Sequence, residues 1–214
     1  MKRTLLVLLS WMAFIPIVVS QENLSAFLFD EYKDAIVYFK GNRQSGEKVN
    51  YNMIDDKLYF VDKKDNQVKV VSGIENIVYI KVGERSFLIE EDGMKEVVSS
   101  EPLIYVQYKA KVQRKATKGA YGGTSKVSSA SSYTELRDGG AHALVKNYET
   151  EASSYYNYYW IEKNGKKRKF TDFKQFLKIY SKQKKDLEKY IDDKKISFED
   201  VNAIIELCIY AENL

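Results

Sequence analysis

The chain predicts an α+β fold: an antiparallel β-rich N-terminal sandwich, roll or partly open barrel, followed by a C-terminal bundle of about three short helices. Three observations carry this. From Ala35 to Val112, apolar residues recur with period two or in short runs, cut by turn residues about every ten positions. Beyond Thr171 the apolar period lengthens to about 3.6. No alternation of strands with helices occurs, so a parallel nucleotide-binding sheet is not expected. Seventeen Tyr and only two Pro agree with a strand-rich chain.

The first twenty residues read as an export signal rather than as part of the fold. Lys2 and Arg3 precede an apolar run from Leu5 to Val19, and Val18 and Ser20 offer the small residues of a cleavage site before Gln21. Pro16 interrupts the run, which is shorter than the ~20 residues a membrane helix needs. No transmembrane span is therefore expected after cleavage, and the expected location is periplasmic or secreted.

The strand candidates follow in order. Ala35–Lys40 leads to a polar turn over Gly41–Gly46, then to Lys48–Met53 and Lys57–Asp62, which flank Ile54–Asp56. The charged turn Lys63–Asn66 precedes Gln67–Val71, and Asn76–Val82 and Arg85–Glu90 flank Gly83-Glu84. Asp92-Gly93 reads as a two-residue hairpin turn into Met94–Val98. Leu103–Gln113 alternates most cleanly, with Ile104, Val106, Tyr108, Ala110 and Val112 on one side. These strands form an antiparallel β domain over 21–114.

A stretch rich in Ser, Thr, Gly and Ala, 115–141, reads as a flexible loop. A second β-hairpin region, 142–170, contains Ala143–Tyr148 and Tyr155–Lys163, and Asn164-Gly165 turns the chain back through Lys166–Phe170. The helical segment is 171–214. Its first helix shares Phe173, Phe176, Leu177 and Tyr180 on one face, with Thr171 or Asp172 as N-cap. A second, over Lys182–Lys194, turns Leu187, Tyr190 and Ile191 inward. Ser197 caps a third helix to Ala211, whose apolar face holds Val201, Ile204, Ile205, Cys208 and Ile209.

Composition narrows the chemistry. One His and one Cys cannot assemble a zinc site of nitrogen and sulfur ligands, and Cys208 can form no intramolecular disulfide. No Cys follows the apolar run, so a lipid-anchored N-terminus is not expected. Asp55-Asp56 and Glu90-Glu91-Asp92 sit at turns without the acid-and-glycine spacing of calcium loops. Ser45-Gly46-Glu47-Lys48 has the Ser-x-x-Lys spelling of penicillin-binding enzymes but lacks their partner motifs. The glycines of 119–126 lack the Gly-Lys-Ser/Thr ending of a phosphate loop. No catalytic residue, metal or cofactor is assigned. The one enzyme-like location is His142 at the end of the Ser-rich loop, which leaves a hydrolase as an alternative.

Two features point to binding. In strand geometry Tyr156, Tyr158 and Trp160 share one face, while Tyr155, Tyr159 and Ile161 share the other, so one set enters the core and the other can meet a partner. Residues 163–195 carry 13 Lys or Arg against 5 Asp or Glu, a local excess of +8. The rest of the chain beyond residue 20 carries −6. Lys166, Lys167 and Arg168 stand at the head of this basic segment. In an exported protein the matching polyanion is an envelope polysaccharide or anionic lipid headgroup rather than nucleic acid. An envelope protein is a further candidate partner.

The stretches Phe29-Asp30-Glu31-Tyr32-Lys33, Val37-Tyr38-Phe39-Lys40 and Val49-Asn50-Tyr51-Asn52 are part of a wider resemblance. Together with Leu58-Tyr59-Phe60-Val61, Tyr121-Gly122-Gly123-Thr124-Ser125 and the ending through Ser197-Phe198-Glu199-Asp200-Val201, they resemble uncharacterised secreted proteins of Bacteroidetes-type bacteria. That resemblance implies an exported bacterial protein and brings no activity. The sequence thus reads as a non-enzymatic binding or interaction domain of the bacterial envelope, with Tyr156, Tyr158, Trp160, Lys166, Lys167 and Arg168 as its binding residues. A self-associating structural protein, pairing through an exposed Leu103–Gln113 strand, is the other alternative.

Overall fold

Ten strands pair into one antiparallel sheet, in a computed structural model that describes residues 24–114, 117–118, 124–125 and 150–214. The expected signal segment, most of the Ser-rich loop, the strand Ala143–Tyr148 and His142 lie outside the described residues. The strands are β1 (Lys33–Phe39), β2 (Arg43–Asn52), β3 (Lys57–Val61), β4 (Val68–Val70), β5 (Ile77–Val82), β6 (Arg85–Glu90), β7 (Gly93–Ser100) and β8 (Leu103–Arg114). A two-stranded ladder, β9 (Thr117–Lys118) with β10 (Thr124–Ser125), precedes β11 (Thr150–Lys163) and β12 (Lys166–Phe170). Three helices close the chain: α1 (Phe173–Ile179), α2 (Lys184–Lys194) and α3 (Val201–Glu212).

The sheet runs β12-β11-β8-β7-β6-β5-β1-β2-β3-β4 and stays open, so among the described residues β12 and β4 are its edges. The α+β class is as the sequence predicts, with the helices at the C-terminal end. The two β regions join because β11 pairs with β8 over most of its length. The sheet rolls so that the turn after β2 reaches β8, where the Ala110 N–H donates to the Met53 carbonyl at 3.1 Å. The N-terminal strip bridges the same gap, with Leu24 against Ala152 and Phe27 against Asn52.

The inner face of the roll holds two cores. Strands β1, β2, β3, β5 and β6 bury Val37, Val49, Tyr51, Leu58, Ile80 and Phe87 against one another and against Phe29. At the other end Ile104, Val106, Tyr159, Ile161 and Phe170 meet Phe176, Leu187, Ile204 and Leu207 of the helices. Tyr108 touches both cores, and its hydroxyl donates to Glu96 at 2.7 Å. Glu96 is held in turn by a two-pronged Arg85 contact at 2.8 Å, and the guanidinium lies over Phe29 and Phe87. A charge at the seam is therefore paired and covered rather than stranded.

Several local expectations need correction. Strand β8 is not an edge of the sheet: β11 pairs with it over most of its length and β7 over Leu103–Val106. The polar stretch after Gly41 is a short turn, and Arg43–Glu47 pairs with β1 despite its composition. The β6–β7 turn residues are Glu91 and Asp92, while Gly93 opens β7 at φ 116°. Glycine is needed there because a Cβ would lie 2.4 Å from Gln107 Nε2 and 2.6 Å from the Tyr51 hydroxyl.

At the helices, Asp172 caps α1 by accepting the Gln175 N–H at 2.7 Å. Asp200, not Ser197, caps α3, accepting from Asn202 and Ala203. The face of α3 is also rotated: Leu207 and Ala211 join Ile204 and Cys208 in the core, and Ile209 is exposed. Cys208 is buried, and burial pushes its thiol far above the ordinary range, which leaves it a small hydrophobe.

Candidate binding surface

The Asn164-Gly165 turn fixes the surface. Both residues have positive φ, 53° and 67°, which suits the twist of a two-residue hairpin. Counting back from it places Trp160 opposite Lys169 and Glu162 opposite Lys167. On the other side of β11, Trp160 faces Tyr105 and Tyr158 faces Gln107. These residues share the outer face, away from the helices.

Lysines and aromatic rings interleave on that face. Lys169 Nζ lies 4.0 Å from the Tyr158 ring centre and 4.9 Å from that of Trp160. Lys95 covers Trp160 at 4.4 Å, Lys167 covers Tyr105 at 4.2 Å, and Lys111 stands 6.0 Å from Tyr156. Tyr156 and Tyr158 meet edge to face at 5.3 Å. Such ammonium–ring contacts are worth about 0.5–2 kcal/mol each, the higher value when desolvated.

The polar groups of the floor are paired with one another. Lys95 is only 1% exposed, and its ammonium bonds Glu90 and Asp92. Gln107 is equally buried and donates to the Asp92 carbonyl at 2.6 Å. Glu90 also accepts from Lys167, so it ties β6, β7 and β12 together. Burial by itself raises the Glu90 carboxyl, but these two ammonium bonds outweigh it and hold the group below its ordinary value. Lys109 is fastened to Asp56, which also accepts the Tyr51 hydroxyl at 2.6 Å. Lys169 differs from Lys95, Lys109 and Lys167, since among the described residues it has no acid partner within 4.0 Å.

The six sequence-nominated residues divide between the two faces. Tyr156, Tyr158, Trp160 and Lys167 come together on the outer face. Lys166 and Arg168 point to the helix side, because β12 alternates and Phe170 enters the helical core. Trp160 is 6% exposed beneath its lysines, so Tyr156 and Tyr158 are the more open rings. Lys95, Gln107, Glu90 and Lys169 are the residues that sequence reasoning missed. Lys169 was within reach, since the hairpin register sets it opposite Trp160. Nothing local marks Lys95 as buried.

No group of three or more His, Cys, Asp or Glu that could hold a metal occurs among the described residues. No helix among them is long and apolar enough to cross a membrane. Comparison with protein-family models, with curated proteins and with solved structures found no match to this chain. The protein is thus an open antiparallel roll with a terminal helical cap and a lysine–tyrosine outer face.

Proposed function

We propose that this chain is a non-enzymatic binding domain of the bacterial envelope, and that its outer face engages an acidic polysaccharide. The supporting observation is Lys169, set against Tyr158 and Trp160 with no acid partner among the described residues. An ammonium held by rings is oriented without being neutralised, so it attracts an anionic group while the open tyrosines stack on sugar rings. Export through residues 1–20 brings the face to such a polymer. N-terminal sequencing of the protein recovered from its cells should begin at Gln21, and a retained Met1 would remove the export step.

The binding test is a titration with polygalacturonate, against neutral dextran and vesicles of anionic lipid. The polysaccharide should bind in a salt-dependent manner, Lys169→Glu should abolish it, and dextran should not bind. Binding to vesicles alone would transfer the face to lipid headgroups. Equal binding of dextran, or undiminished binding after Lys169→Glu, would refute the assignment.

A further inference from the structure

We propose that the free edge of β12 accepts an additional strand, an extended acidic segment of a partner protein. This goes beyond the polysaccharide reading, since it uses backbone groups and the helix-side flank of the edge. Across a two-residue hairpin turn the flanking pair, Lys163 and Lys166, exchanges both backbone hydrogen bonds. Pairing then alternates, so Lys166, Arg168 and Phe170 direct their backbone groups to β11. Lys167 and Lys169 direct theirs away from the sheet. Among the described residues no hydrogen bond uses those outward groups.

The charges beside this edge select the incoming strand. Lys166, Lys167, Arg168 and Lys169 follow one another, and only Lys167 has an acid partner among the described residues. The opposite edge makes the contrast. On β4 the central Lys69 is neutralised by Asp62 and by Asp65, at 2.7 Å from the latter. Lysines on an edge ordinarily deter pairing, and here they deter a second basic edge while attracting an acidic strand. Beyond β12 an open depression is lined by Arg168, Lys169, Gln175, Lys178 and Ile179. Its lining sets Arg168 and Lys169 of β12 beside Lys178 of α1. Residues opposite Lys167 and Lys169 would fall on the outer face, and those opposite Arg168 would meet Lys178 on the helix side.

The test is fluorescence anisotropy of the full chain with a labelled ten-residue peptide that alternates Glu with Val and Thr. Two control peptides accompany it: the same sequence N-methylated at alternate residues in either phase, and a version with Lys in place of Glu. The acidic peptide should bind. One phase of N-methylation should weaken it about tenfold or more, and the lysine peptide should not bind. Lys178→Glu, on an exposed helical position, should weaken peptide binding several-fold while leaving polygalacturonate binding intact. No binding of the acidic peptide at millimolar concentration would overturn the proposal. Equal affinity for both N-methylated phases and the parent would also overturn it, since strand addition requires the backbone groups.

Discussion

The two faces of β11 are built from the same residue type and do opposite work. Inward, Tyr159 is fully buried, stacked on Phe170 at 5.5 Å and set edge-on to Phe198 at 5.2 Å. Its hydroxyl donates to the Phe198 carbonyl at 3.0 Å, and burial lifts its pKa to about 12. Outward, Tyr156 and Tyr158 keep partial exposure, and lysines rather than apolar side chains cover the neighbouring rings. Tyrosine in a strand therefore says little by itself. What stands across from it decides between core and outer face: helices on one side, the lysines of β7, β8 and β12 on the other.

That contrast breaks most severely at the inner ring. Tyr159→Ala should cost about 3–5 kcal/mol, read by chemical denaturation, because it leaves a cavity and strips the Phe198 carbonyl of its donor. Next comes the buried cation of the outer face. Lys95→Ala should cost about 1–3 kcal/mol, less than a sealed ion pair, because Glu90 and Asp92 are partly exposed and regain water. It should also change Trp160 fluorescence. Tyr158→Ala should change stability by less than about 1 kcal/mol yet weaken polygalacturonate binding. An equal stability loss for Tyr158→Ala and Tyr159→Ala would erase the distinction between the faces.

The smallest effect concerns acid. Glu212 accepts from Tyr180 and from Lys163, the latter at 2.9 Å, and so pins α3 to α1 and β11. Burial raises its carboxyl, but these two bonds prevail and hold it below its ordinary value of 4.5. Because the folded carboxyl is the stronger acid, its contribution is complete above about pH 4.5 and fades as pH falls through the lowered value. Glu212→Gln should flatten the acid limb of the stability profile, measured by thermal melts between pH 5 and pH 2. An unchanged limb would mean that the contact contributes nothing in solution.

Legibility in the sequence tracked how local each determinant is. The Asn164-Gly165 hairpin, the alternation of Tyr155 to Ile161 and the inward set of α1 follow from two-residue and 3.6-residue periods. The β6–β7 turn falls one residue before the Asp92-Gly93 pair that the sequence predicts, because the demand for glycine at 93 comes from Gln107 and Tyr51, which lie far off in sequence. Strand β8 read as an edge candidate because the sequence separates it from β11 by the long intervening segment, and only their pairing buries it. Lys95 was illegible for the same reason: its burial depends on Trp160, 65 positions away. The basic run Lys166–Lys169 was visible as a unit, but strand alternation sends half of it to each side.

The inner face of β11 is a core, and its outer face is the proposed binding surface. In a Trp11→Phe chain Trp160 is the only indole, so its fluorescence reports that face alone. Titrated with polygalacturonate, this chain should show a saturable, salt-sensitive change in Trp160 emission that Lys169→Glu removes. Binding that leaves Trp160 emission unmoved, or survives Lys169→Glu, would contradict the account.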